Sequence, residues 1–239
     1  MKIEKYNKEL NYSYSLGAFP TLELIKYHKK EIINIYIHPS FNNEEVINKI
    51  KNEIDNNKII FNETKIFNKL SDKENVYIIG TFYKYKTNID SSFDHILLDS
   101  ISNMGNLGTI IRSSLGFNIK NLAIVDQNID YFDPKVIRSS MGSIFAFNIE
   151  HFNSLNEYKN KFQNHTIYSF MLQAKNELAN FNFPNKLVTL AFGNEARGLP
   201  EIYLKENPLI IKHTSLIDSL NITNAVTIAL YELYNSKNK

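Results

Sequence analysis

Only three of the 27 basic residues are arginine: Arg112, Arg138 and Arg197. Where lysine is the default cation, an arginine marks a place that needs a planar, always-charged fork. Each of the three lies beside a glycine-containing turn. Arg112 belongs to the stretch NMGNLGTIIRSS, residues 103–114, in which Gly105, Asn106 and Gly108 occupy a strand-to-helix turn. Such a turn can cradle a phosphate, or it can simply permit a tight bend. Its spacing is neither G-x-G-x-x-G nor a Walker loop, so a nucleotide-phosphate site is not indicated. Arg112 sits a turn and a half into an otherwise apolar helix, where a charge must be paired or must face a cleft.

Two later segments repeat the pattern of an apolar strand running into a polar turn. In LVTLAFGNEARGLP, residues 187–200, the strand ends at Gly193, and Asn194, Glu195 and Arg197 follow it. Glu195 can fix the orientation of an arginine across a crevice, or it can act as an ordinary helix-capping acid. In IIKHTSLIDSLNITNA, residues 210–225, Ser219 and Asn221 stand at the mouth of a helix, where capping is their usual duty.

Alternating elements must position these turns. Helical spacing marks residues 21–29, 43–54 and 63–70, and strand patterns mark 32–37, 58–61 and 76–79. Together they form a small α/β unit over residues 1–80. Residues 81–92 are polar, lack either period and read as a solvated linker with docked tyrosines; Tyr83 to Lys86 interleave aromatic and basic groups as RNA-contacting segments also do. Residues 93–239 alternate again, with strands expected at 96–99, 122–125, 144–147, 166–170, 187–192 and 209–211. Helices are expected at 107–115, 134–141, 154–162 and 222–234. That order implies an α/β fold with a parallel sheet covered on both faces, whose ligands bind at the carboxyl ends of the strands.

Composition narrows the chemistry. The chain of 239 residues has no cysteine, which excludes disulfides, thiolate zinc and cysteine nucleophiles, among them those that methylate pyrimidine C5. Six histidines without ligand-like spacing indicate no metal site. The net charge of +2 is too mild to establish a nucleic-acid partner. No apolar run spans a bilayer and no secretory pattern opens the chain, so no membrane association and a cytoplasmic location are expected.

Three spaced patterns carry a resemblance: N-x-G-x-x-x-R (Asn106, Gly108, Arg112), G-x-E-x-x-G-L (Gly193, Glu195, Gly198, Leu199) and S-L-N-I-T-x-A (Ser219 to Ala225). In this order they resemble the three motifs of the SpoU, or TrmH-like, class of SPOUT RNA 2′-O-ribose methyltransferases, over Phe93 to about Tyr234. Arg138 to Gly142 resembles a further family segment. Residues 1–80 are similar to the small ribosomal-protein-like RNA-binding domain of several members.

The resemblance implies a carboxyl-terminal trefoil knot, a feature otherwise nearly absent from proteins. It implies a cofactor, S-adenosyl-L-methionine, held mainly by backbone groups of Gly193, Ile211 and Leu220, with Asn194 and Asn221 nearby. Arg112 matches the family's catalytic arginine, either as proton acceptor or as an anchor for a phosphate. Asn106 and Glu195 would hold Arg112, and Ser219 and Asn221 would shape the pocket. The partners implied are RNA, ribosomal or transfer, and a second copy of the chain in a homodimer. The family's third motif is usually entered by Ile-Pro-Met and a glycine; here Ile211-Lys212-His213 and Ser215 stand instead, with His213 read as a surface-loop residue.

The expected activity is methylation of a ribose 2′-hydroxyl in ribosomal RNA. Transfer RNA is the alternative substrate. A catalytically inactive RNA-binding protein of the same fold is another reading, which the presence of Arg112, Asn106 and Glu195 disfavours. A doubly wound nucleotide-binding enzyme lacks its glycine fingerprint here.

Overall fold

A computed structural model describes residues 3–71, 75–125, 129–179 and 181–238. The chain begins with β1 (Tyr12–Leu16), α1 (Ala18–His28), β2 (Ile32–Ile37), α2 (Glu44–Glu53), β3 (Ile59–Phe61), α3 (Thr64–Leu70) and β4 (Ile78–Tyr83). It continues with β5 (His95–Asp99), α4 (Met104–Gly116), β6 (Asn121–Val125), α5 (Pro134–Ser139), β7 (Asn148–Phe152), α6 (Leu155–Lys161) and β8 (Thr166–Ser169). It ends with β9 (Asn176–Glu177), β10 (Val188–Phe192), β11 (Leu209–Ile210) and α7 (Ile222–Lys237). Among the described residues no helix is long and apolar enough to cross a membrane.

The contacts group the chain into two units: Met1–Tyr85 with Asp130–Ala146, and Lys86–Ile129 with Phe147–Lys239. The sequence boundaries had placed all of 93–239 together, whereas residues 130–146 pack with the first unit. In that unit the sheet order is β1-β4-β2-β3, antiparallel except for the β2–β3 pair. Leu24 and Ile25 of α1 are buried, while Tyr12, Tyr14, Tyr36 and Phe67 form a core cluster with Ile79. Strand β1 is absent from the sequence expectations because its alternation is Tyr-Ser-Tyr-Ser rather than apolar-polar. Its serines are buried and satisfied: Ser13 donates to the Phe132 carbonyl at 2.5 Å, and Ser15 pairs with Thr21 at 2.9 Å.

Two expectations about individual elements are corrected. Residues 144–147 form no strand; Ser143–Ala146 is a 3-10 turn and the strand starts at Asn148. An apolar run reads alike as buried strand or buried turn, and Gly142, at φ +79° and tight against Pro20, bends the chain before it. Residues 81–83 are the end of β4, not linker. Of the interleaved aromatic and basic residues, Tyr85 stacks on His28 at 3.9 Å and Lys84 pairs with Asp130 at 3.1 Å.

The second unit is built on a five-stranded sheet, order β7-β6-β5-β10-β8, parallel throughout. Strands β5, β6 and β10 are buried at every position, as strands covered on both faces must be. Helix α7 buries Ile222, Val226, Ala229, Leu230 and Leu233, a stripe at helical spacing, and packs against α4.

Candidate functional site

The strand order reverses at β5. The chain moves outward through β6 to β7, then returns to the other side of β5 for β8 and β10. At such a reversal the loops leaving neighbouring strands diverge and open a crevice at the carboxyl ends. The loops after β5 and β10 border it here.

Asn194 ties these loops together. Its Nδ2 donates to the Ser100 carbonyl at 2.8 Å, and its Oδ1 accepts from the Ala196 and Arg197 backbone N–H groups at 2.9 and 3.2 Å. Gly198 N–H closes the loop onto the Asn194 carbonyl at 2.8 Å. A Cβ at Gly193 would stand 2.2 Å from the Gly198 carbonyl carbon, and Gly198 itself adopts φ +70°. Glycine is required at the first position for want of room and favoured at the second by the backbone conformation.

Glu195 reaches the start of α4. Its Oε1 accepts from Asn106 Nδ2 at 3.1 Å and its Oε2 from the Ser102 hydroxyl at 3.4 Å. Asn103 caps that helix, accepting from the Gly105 and Asn106 N–H groups at 2.8 and 3.1 Å. A carboxylate close to a helix amino terminus is favoured by the helix dipole.

A hollow of about 210 Å³ lies on one side of the β10 loop. Gly193, Asn194, Glu195, Ile211, Ser219 and Leu220 all line it. Residues from two expected motifs, separated along the chain, thus meet at one place. Asn221 is outside the lining; its Oδ1 caps α7, accepting from Thr223 N–H at 2.9 Å and Thr223 Oγ1 at 2.6 Å. His213 lines the hollow, with Nδ1 3.0 Å from the Thr214 carbonyl oxygen. A second hollow, of about 510 Å³, lies at the carboxyl end of β5 and shares Asn194, Arg197, Gly198 and Leu199 with the first.

Arg112 borders neither hollow. It is exposed on α4, and its side chain makes no hydrogen bond or ion pair with another described residue. The Asn106–Glu195 pair therefore forms without it. Arg138 is exposed on α5, within the first unit.

Sequence reasoning missed Phe170 to Gln173, which also line the first hollow. Phe170 stacks on Phe192 with ring centroids 4.5 Å apart and planes at 6°. The only signal was an aromatic residue ending each of two apolar strands. It also missed Asp99, a buried carboxylate at the end of β5 that accepts from the Tyr203 and Ser100 hydroxyls, each at 2.7 Å. Burial, reinforced by that carboxylate, raises the Tyr203 hydroxyl pKa far above its ordinary value.

A buried polar chain braces the sheet. His95 Nδ1 meets Tyr158 OH at 2.8 Å, Tyr158 OH meets Thr189 at 2.6 Å, and Thr189 meets His165 Nδ1 at 3.0 Å. Burial lowers the pKa of His95 to about 4 and lowers that of His165. Neither histidine lines a hollow. Among the described residues no group of three or more His, Asp or Glu is arranged to hold a metal.

Comparison with known proteins gives a consistent picture. The sequence profile described as the SpoU rRNA Methylase family matches residues 94–231. The chain is 30% identical over 141 residues to an uncharacterised tRNA/rRNA methyltransferase of Synechocystis, and 29% identical over 153 residues to a 23S rRNA uridine 2′-O-methyltransferase of Streptomyces viridochromogenes. These alignments cover 57% and 60% of this chain but 51% and 53% of the relatives, so the chain spans about half the length of the curated relatives it matches. The fold is similar to that of the SpoU methyltransferase AviRb from Streptomyces viridochromogenes, with a TM-score of 0.82 at 18% identity, over 95% of this chain and 90% of the other. A second structure of AviRb, in complex with the cofactor AdoMet, gives a TM-score of 0.81 at 18% identity, over 95% and 91% of the two chains.

Proposed function

Since the chain belongs to the SpoU rRNA methylase family, we propose that it transfers a methyl group from S-adenosylmethionine to a ribose 2′-hydroxyl of RNA, ribosomal RNA first and transfer RNA as the alternative. The observation that carries this reading is the meeting of the β10 loop with residues 210–225 around one hollow.

The lining fits the cofactor. It offers apolar faces from Leu199, Ile211, Leu220 and Ala225 for an adenine ring, and the missing Cβ of Gly193 lets the β10 loop close tightly on Gly198 to form that wall. The cofactor, when bound, supplies an electrophilic methyl on a sulfonium. The chain then has to align the acceptor oxygen and assist loss of its proton. Asn106 and Glu195 fix the start of α4 against the β10 loop. Ser219 lines the hollow from the third motif, and Asn221 orders that segment by capping α7. Arg112 acts as an anchor for an RNA phosphate, because its fork is exposed and unengaged, and a guanidinium is a poor proton acceptor at neutral pH.

The carboxyl-terminal chain is, on this reading, threaded as a trefoil knot. Three segments that flank one hollow, 170–173, 193–199 and 210–222, support it. A homodimer is supported by Ile228, Tyr231 and Tyr234, which leave an apolar face of α7 exposed. Residues 1–80 are, on this reading, the RNA-binding part; a cleft of about 630 Å³ there is lined by Lys26, Lys29, Lys30 and Lys49 together with Tyr27, Glu23, Glu31 and Glu53.

Isothermal titration with S-adenosylmethionine, followed by tritiated-methyl transfer to unmodified rRNA and tRNA transcripts, tests the proposal. Binding of the cofactor and label at a ribose 2′-oxygen are expected. Intact RNA binding without cofactor binding would mean a non-catalytic RNA-binding protein instead.

A further inference from the structure

The second hollow has a different character from the first. It sits where the strand order reverses, between the end of β5 and the β10 loop, and it shares a wall with the hollow proposed for the cofactor. Of the residues lining it, only Arg197 carries a charge. The carboxylates nearby are already committed: Asp99 to Tyr203 and Ser100, Glu195 to Asn106 and Ser102. Nothing among the described residues pairs with the Arg197 side chain, while its backbone N–H is fixed by Asn194 at 3.2 Å. An unpaired fork on a fixed loop, in a chain that otherwise uses lysine, suits bidentate capture of a phosphate.

Resting on the methyl-transfer reading, we infer that this second hollow receives the acceptor nucleotide and that Arg197 grips a phosphate flanking its ribose. The shared wall is the reason. Direct transfer needs the methyl carbon and the acceptor oxygen in contact, so the two ligands must occupy adjoining hollows, and these two adjoin at Asn194, Arg197, Gly198 and Leu199. Ser100 and Ser102 add hydroxyls, and Met104, Ile129 and Pro200 add apolar surface against which a base can lie. Arg197 is thus a substrate-binding residue distinct from the three motif positions.

The test compares the wild type with Arg197→Gln and Arg197→Lys, using an unmodified rRNA transcript as the probe. Arg197→Gln should raise the KM for RNA about tenfold. It should also reduce the dependence of log K on log salt by about 0.7, the share of one single-strand phosphate. Arg197→Lys should keep the salt slope and recover part of the affinity. Because Arg197 borders both hollows, cofactor affinity is titrated in the same variants, and the loss of RNA affinity should exceed any loss of cofactor affinity. Unaltered RNA affinity and salt slope in Arg197→Gln would overturn the inference, and so would loss of cofactor binding with RNA binding intact. A wild type that binds RNA but transfers no methyl would sink the enzymatic reading instead; the salt slopes would still decide whether Arg197 holds a phosphate.

Discussion

Asn106 donates through Nδ2 to Oε1 of Glu195 at 3.1 Å, joining the first turn of α4 to the loop after β10 across 89 positions of sequence. This bond links the first and second motifs, and it sets the wall between the two hollows against the end of β5. Removing either partner should loosen the partition more than the fold. Asn106→Ala and Glu195→Ala should each lower methyl transfer about tenfold or more, and the double variant should cost little beyond the worse single one, a coupling of about 1 kcal/mol. Strict additivity in a double-mutant cycle on kcat/KM would disprove the linkage.

Arg112→Ala should lower kcat/KM for RNA about tenfold or more, mainly by raising KM, as loss of a phosphate anchor does, while leaving the melting temperature and cofactor affinity near wild type. The side chain is exposed and touches neither hollow, so its loss removes no packing. A tritiated-methyl assay retaining wild-type kcat/KM would remove Arg112 from the reaction.

Gly193→Val should block cofactor binding. Even a single added carbon would approach the Gly198 carbonyl carbon to 2.2 Å, a contact relieved only by displacing the loop. Titration calorimetry should find affinity reduced at least a hundredfold, with a destabilisation of about 2 kcal/mol from the strain. Unchanged cofactor affinity would show that this loop is not part of the cofactor site.

Acid should destabilise the second unit through its buried histidines. His95 is neutral when folded, with a pKa near 4 set by burial, against 6.5 when exposed. Between those values the unfolded chain binds more protons than the folded one, so stability rises with pH across that window. It is complete above about pH 6.5 and falls as pH drops towards 4, by roughly 3 kcal/mol for His95, with His165 acting in the same direction. Urea unfolding at pH 7 and pH 5 should reveal the slope. His95→Gln should flatten it, and an equally steep dependence in that variant would assign the effect to other groups.

Much of this chain was legible in its sequence, because much of it is local. The alternation of elements, the polar turns at strand ends and the glycine positions all follow from hydrophobic period and backbone conformation, which neighbouring residues decide. The second motif is a case in point: Gly193, Asn194 and Gly198 close their loop on one another within six residues. The duty of Asn221 as a helix cap was readable for the same reason.

What the sequence left open was pairing over distance. No local pattern places β10 beside β5, yet only that neighbourhood brings Asn194 to Ser100 and Glu195 to Asn106. No period assigns residues 130–146 to the first unit, where Ser13 and Asp130 hold their ends of polar contacts. The buried chain from His95 to His165 was invisible too, because its members come from different elements. Sequence determined most of the strands, helices and loops through short-range sterics and side-chain polarity, and failed at β1, 81–83 and 144–147, where burial overrode the local pattern. Tertiary structure decided which loops face each other, because strand order is settled by long-range burial that no short window of residues contains.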